Sequence, residues 1–123
     1  MSEKSKVGHL ARFGPAIKNS WLGLKAAYKH EMAFRQEVFL SIFLLPIAFF
    51  IANGFVEFAL LVSGIVGILI AELLNSAVEA TVDRIGLERH ELSGRAKDLG
   101  SAAVFVAICY FLLVWGYKIF TLF

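Results

Sequence analysis

The sequence predicts an all-α membrane protein, with three transmembrane helices and an N-terminal amphipathic surface helix. Three observations predict it. The 123 residues are 59% hydrophobic, with a mean hydropathy of +0.73, too apolar for a water-soluble domain. The 12 basic and 10 acidic residues are sorted rather than spread, and all but Glu57 and Lys118 fall within residues 1–37 or 72–98. Outside those blocks run two uncharged stretches long enough to cross a bilayer, 38–56 and 99–117, and a shorter one, 58–71, that reads as a span by continuing toward Asp83. The composition also excludes other classes. A disulfide scaffold is excluded because Cys109 is the only cysteine and sits in an apolar run. Abundant Phe, Leu, Ile and Val exclude low-complexity disorder. A net charge of +2 is too small for a nucleic-acid partner.

Residues 1–123 read as a single membrane domain. The surface helix is expected over residues 8–30, where Leu10, Phe13, Ile17, Trp21, Leu24 and Tyr28 recur at helical spacing. Arg12, Lys18, Lys25 and Lys29 occupy its other sides, so the helix suits an interface with anionic lipids, although the apolar face could instead pack on the chain's own bundle. Gly14-Pro15 interrupts it or marks its first turn. The first span is expected over 34–53, with Pro46 tolerated as a kink. A tight turn at Asn53, Gly54 and Glu57 leads into a second span over 57–83. The link 84–94 is polar, with Gly86 and Gly94 as breaking points. The third span covers 95–120. Lys and Arg crowd the N-terminal segment and this link but are missing from the Asn53–Glu57 turn. The N-terminus is therefore expected in the cytoplasm and the C-terminus in the periplasm. The first apolar run starts too late for a cleaved signal peptide.

The second span carries the chemistry. Glu72, Asn75, Ser76, Glu79 and Asp83 are offset by steps that place them on one stripe of a helix. A carboxylate near the bilayer centre costs about 2.5–3.5 kcal/mol on insertion scales. Pairing with rim cations such as Arg84 or Lys97 would explain Asp83. It explains Glu72 poorly, because Glu72 lies about 16 Å farther along the helix with no cation near it in sequence. A carboxylate held away from bulk water suits a general base. The shallower Glu79 suits a hydrated divalent cation shared with phosphates. The stripe thus reads as a two-level site, with lipid chemistry above water-soluble chemistry.

Two further clusters reach the same rim. Glu31 stands between the surface helix and the first span, where it is either a ligand or the partner of Arg35. Residues 88–98 hold Arg89, His90, Arg95, Lys97 and Asp98, either a solvated loop or a place for an anion. His9, His30 and His90 lack zinc-ligand spacing. Walker, protein-kinase, GxSxG and CxxC patterns are absent. Three spans are too thin to enclose a nucleotide, a metal and a lipid, which implies an oligomer with sites between protomers.

At these residues the sequence resembles a known family. EMAFRQE (Glu31–Glu37), ELLNSAVEATVDRIG (Glu72–Gly86) and HELSGRAKDLGSAAV (His90–Val104) are similar to the bacterial integral-membrane diacylglycerol kinases. That family is a homotrimer of the inner membrane that transfers the γ-phosphate of Mg-ATP to diacylglycerol, giving phosphatidic acid. The resemblance implies that Glu72 is the base and that Glu31 and Glu79 hold Mg²⁺. It implies an ATP site completed by Asn75, Asp83, Lys97 and Asp98, with Glu88 and His90 toward the adenosine. Arg12, Asn19 and Ser101 would lie at the phosphate or substrate approach. Ser20, Trp21, Ala33, Phe34, Arg35, Gln36 and Glu37 would line the lipid entry. The family often has an aromatic residue where this chain has Arg89, which leaves a backbone contact with adenine at that position.

The mechanism expected is direct in-line transfer, with Lys97 beside the phosphates and no covalent protein intermediate. An undecaprenol kinase would share the stripe. A small cation or proton pathway would also use intramembrane carboxylates, but it leaves Arg95, Lys97 and Asp98 without a purpose.

Overall fold

The structure is a computed structural model that describes residues 8–123. Its helices are α1 (Phe13–His30), α2 (Met32–Ile51), α3 (Phe55–Ile85) and α4 (Glu91–Leu122). The last three are long and apolar enough to cross a membrane.

A helical turn at residues 8–10 is separated from α1 by Ala11 and Arg12. Pro15 explains the break. It has no N–H for the carbonyl of Ala11, and regular bonding resumes with Ala16 N donating to Arg12 O at 3.2 Å. Gly14-Pro15 therefore lies in the first turn of α1. The apolar stripe of α1 does not pack on the bundle: Leu10, Phe13, Ile17, Trp21, Leu24 and Tyr28 are all exposed. Lys25 sits over the Trp21 ring, 5.8 Å from its centroid.

Extended backbone at Glu31 (φ −111°, ψ 107°) separates α1 from α2. The corner is held by Arg35, whose Nη1 donates to the carbonyls of Tyr28 at 2.8 Å and Lys29 at 2.9 Å. Those carbonyls end a helix and have no partner within it. Arg35 thus caps α1 and forms no ion pair with Glu31. α2 continues through Pro46 without a break. It joins α3 through Ala52–Gly54, where Gly54 adopts φ 91°, a region that favours glycine. Glu57 Oε1 reaches back to accept from Asn53 N at 3.3 Å.

α3 and α4 run antiparallel and pack along most of their length. The register is read from one end to the other. Lys118 Nζ bonds Glu57 Oε1 at 2.6 Å, and Trp115 Nε1 donates to Leu61 O at 3.0 Å. The Ser63 and Tyr110 hydroxyls lie 2.9 Å apart. A Cβ on Gly64 would stand 3.3 Å from Phe111 Cα, Asn75 meets Gly100, and Lys97 Nζ lies 2.8 Å from Asp83 Oδ1. From Glu57 to Asp83 along α3 the partners run back along α4 from Lys118 to Lys97. The core of Ala48, Leu61, Ile65 and Trp115 ties α2 to this pair, with Phe111 stacked on Trp115.

Gly86–His90 joins α3 to α4. His90 sets the start of α4, because its Nδ1 accepts from Leu92 N at 3.1 Å. The helix then runs straight through Gly94, whose N donates to His90 O at 2.9 Å. The expectation that Gly94 breaks the chain is corrected. A glycine lowers helix propensity, but a satisfied N-cap and the long packed helix behind it outweigh that cost.

The helices differ in length. The 20 residues of α2 span about 30 Å, and the 31 of α3 about 46 Å. Their ends are level at the short Ala52–Gly54 turn. The far end of α2, beside Glu31, therefore stands opposite Leu74 and Asn75, and α3 continues about 16 Å beyond it.

Candidate functional site

The polar stripe of α3 lies where α2 ends. Glu72 is buried, with only 8% of its surface exposed. Asn75, Ser76 and Glu79 are half-buried and Asp83 is exposed, a gradient along a single helix face. Antiparallel pairing of a short α2 with a long α3 brings Glu31 opposite the stripe. Glu72 is within electrostatic reach of both Glu31 and Glu79, and Glu37 is within reach of Glu72. Carboxylates from two helices and the α1–α2 corner thus act electrostatically on Glu72 or are acted on by it.

Several contacts organise the cluster. Asn75 Nδ2 donates to Glu79 Oε1 at 3.4 Å. Its Oδ1 is buried without a hydrogen-bond partner, as is Glu37 Oε2. Gly100 on α4 makes room for the Asn75 amide, since a Cβ there would collide with Oδ1 and stand 3.3 Å from Cγ. At the rim Lys97 pairs with Asp83, one of the pairings expected from sequence. Lys97 therefore stands on the same side as Glu79, one further turn along α3.

Other expected site residues sit around this centre. Ser20 lines a groove of about 640 Å³ between α1 and α3, together with Gly23, Ala27, Glu31, Ser76 and Ala80. Its hydroxyl also donates to Ala16 O at 2.9 Å. Trp21 is exposed. Phe34 is buried while Ala33 and Gln36 are exposed. Glu37 lines a small apolar recess with Ser41, Ile65, Ile68 and Phe111. Arg89, His90, Arg95 and Asp98 line a shallow polar groove at the rim. Glu88 folds back toward Gly86, and the Nδ1 of His90 is engaged in capping α4. Ser101 is exposed on α4. No hydrogen bond or ion pair ties Arg12, Asn19 or Ser101 to the stripe among the described residues.

Among the described residues no group of three or more His, Cys, Asp or Glu forms a metal-holding cluster. The donors present fit magnesium by their chemistry. They are hard carboxylate oxygens, and magnesium shared with phosphates takes only one or two carboxylates from a protein. Glu31 and Glu79 could supply those two.

The Glu57–Lys118 pair at the other end of the bundle is not among the pairings expected from sequence. The signal was available, since both lie outside the two charge blocks and two opposite charges alone on adjacent antiparallel spans require each other.

Comparison with known proteins places the chain. The family model described as prokaryotic diacylglycerol kinase matches residues 18–119, a range that includes all three recognisable strings. A diacylglycerol kinase of Haemophilus influenzae is 54% identical over 101 residues, 82% of this chain and 86% of the relative. That of Escherichia coli K12 is 50% identical over 96 residues, 78% of this chain and 79% of the relative. That of Pseudomonas aeruginosa is 49% identical over 113 residues, 92% of this chain and 91% of the relative. The chain belongs to the prokaryotic diacylglycerol kinase family.

Proposed function

We propose that the chain phosphorylates diacylglycerol with ATP at the cytoplasmic face of the bacterial inner membrane, yielding phosphatidic acid. Family membership makes it an enzyme, a phosphotransferase with an alcohol acceptor. The observation that carries the finer reading is Glu72, a buried carboxylate on a spanning helix with Glu31 and Glu79 in reach.

Glu72 takes the proton of the lipid hydroxyl as that oxygen attacks the γ-phosphorus in line, and the bond from the γ-phosphorus to the bridging oxygen breaks, so that ADP leaves. The level of Glu72 matches the end of α2, where the hydrocarbon layer gives way to head groups and a diacylglycerol hydroxyl resides. The groove between α1 and α3 offers apolar walls that end at Glu31 and Ser76, a shape suited to lipid entry. Magnesium, when bound, supplies charge neutralisation at the phosphates; Glu31 and Glu79 would hold it. Asn75 orients Glu79 through its amide. Lys97 and Asp83 lie where the polyphosphate would extend, and Asp98, Glu88, Arg89 and His90 lie toward the nucleoside. Arg12, Asn19 and Ser101 would approach the substrates. Ser20, Trp21 and residues 33–37 would border the lipid path.

The exposed apolar face of α1 belongs in the membrane interface, with its lysines toward anionic head groups. The thinness of a three-span protomer calls for an oligomer with neighbouring copies closing each site, and the family resemblance makes that oligomer a homotrimer. The basic N-terminal segment and link put that end in the cytoplasm.

The test is transfer of labelled phosphate from ATP in mixed micelles, with and without Mg²⁺. Diacylglycerol should be labelled only with Mg²⁺, and undecaprenol poorly. Preferential labelling of undecaprenol, or ion flux in liposomes without nucleotide, would overturn the proposal.

A further inference from the structure

We propose that the end of the bundle opposite the carboxylate stripe carries a structural lipid site that selects a zwitterionic phospholipid with a primary ammonium head group. The site is the groove of about 590 Å³ between α3 and α4, with the Glu57–Lys118 pair at its polar end. It lies about 22 Å along α3 from Glu72, in the other leaflet, so it is separate from the reacting centre.

The groove is built in two parts. Leu60, Leu61, Leu113 and Val114 form an apolar wall at the depth of acyl chains. Beyond them come Asn53, Glu57, Tyr117 and Lys118 at the helix ends. Tyr117 is exposed at the level where amphipathic aromatic rings meet head groups. The order along the groove, apolar then polar, is the order of a phospholipid standing in that leaflet.

The charges determine which phospholipid. Lys118 Nζ donates one hydrogen bond to Glu57 Oε1 at 2.6 Å, and the same oxygen accepts from Asn53 N. Glu57 Oε2 and two ammonium protons of Lys118 have no further partner among the described residues. The pair is neutral overall, so it offers no net attraction to an anionic lipid. It is instead a dipole, with an ammonium to meet a phosphate and a carboxylate oxygen to meet a donor. A phosphoethanolamine head group is the complementary dipole. A phosphocholine head has no N–H to give Glu57, and a phosphoglycerol head has no cation.

The experiment uses the full-length protein in mild detergent, incubated with equal amounts of phosphatidylethanolamine, phosphatidylcholine and phosphatidylglycerol. Retained lipid is counted by native mass spectrometry. Phosphatidylethanolamine should be retained about fivefold over each of the others, the worth of one exposed charge pair. The double variant Glu57→Gln/Lys118→Gln keeps a neutral hydrogen bond between α3 and α4 and should lose the preference while keeping its kinase activity. Equal retention of the three lipids, or an unchanged preference in the double variant, overturns the proposal. So does disulfide cross-linking of Leu113→Cys between two copies in the absence of lipid, in a protein with Cys109 replaced by Ala, which would mean that a second chain covers the groove.

Discussion

Among the described residues, Glu72 alone of the carboxylates combines burial, a place on a spanning helix, and further carboxylates from α1–α2 and α3 in reach. Replacing it with Gln preserves volume but removes the carboxylate proposed as the base. Glu72→Gln should bind ATP as well as the parent yet lose turnover by roughly 10²–10⁴-fold, the range of general base catalysis. Near-normal turnover would show that another group takes the proton. Gly100 acts through Asn75. An alanine there forces the Asn75 amide to swing away and gives up its bond to Glu79. Gly100→Ala should cut turnover by roughly tenfold or more through misplacement, at a stability cost of about 1–2 kcal/mol, read by phosphate transfer and thermal unfolding. The stripe itself was legible because helical spacing fixes which residues share a face. The Asn75–Gly100 approach was not, because it depends on the register of α3 against α4. That register follows from tertiary packing, which a single sequence does not display.

At the scale of elements, α3 and α4 meet through one close backbone approach and several polar clasps. At Gly64 a Cβ would press on the Phe111 backbone at 3.3 Å, whereas at Gly67 it would meet nothing within 4 Å. Backbone cannot move aside as a flexible side chain can, so Gly64→Ala must separate the helices. It should destabilise the protein by about 1–3 kcal/mol. Gly67→Ala should be neutral or stabilising by a few tenths of a kcal/mol from helix propensity. Unfolding in detergent or bicelles compares the two, and equal effects would mean that the close packing at Gly64 is relaxed in the membrane. Two of the three long helices were readable from uncharged run lengths, whereas the run 58–71 is too short alone and reads as a span only when continued through the polar stripe. The start of α4 was harder to read. A glycine and a dense set of charges around Gly94 resemble a loop, while the cap that starts the helix is a histidine, a residue outside the usual N-cap set.

At the scale of the whole molecule, the unequal helix lengths and the sorted charges point the same way. α2 is about as long as the hydrocarbon layer is thick, roughly 30 Å, and the excess of α3 and α4 emerges at the end that carries Arg84, Arg89, Arg95 and Lys97. The opposite end carries Glu57 and Lys118 paired with each other, so it presents no excess of positive charge to hold it in the cytoplasm. Transfer of a basic link across the membrane is opposed, and transfer of the short Ala52–Gly54 turn is not. The two ends are separable by labelling, because Asn53 and Leu87 are both exposed. With Cys109 replaced by Ala, an Asn53→Cys protein in intact spheroplasts should react with a membrane-impermeant maleimide. A Leu87→Cys protein should react only after permeabilisation. The reverse pattern would put Glu79 and Lys97 on the side of the membrane without ATP, and the proposed kinase site could not work as drawn.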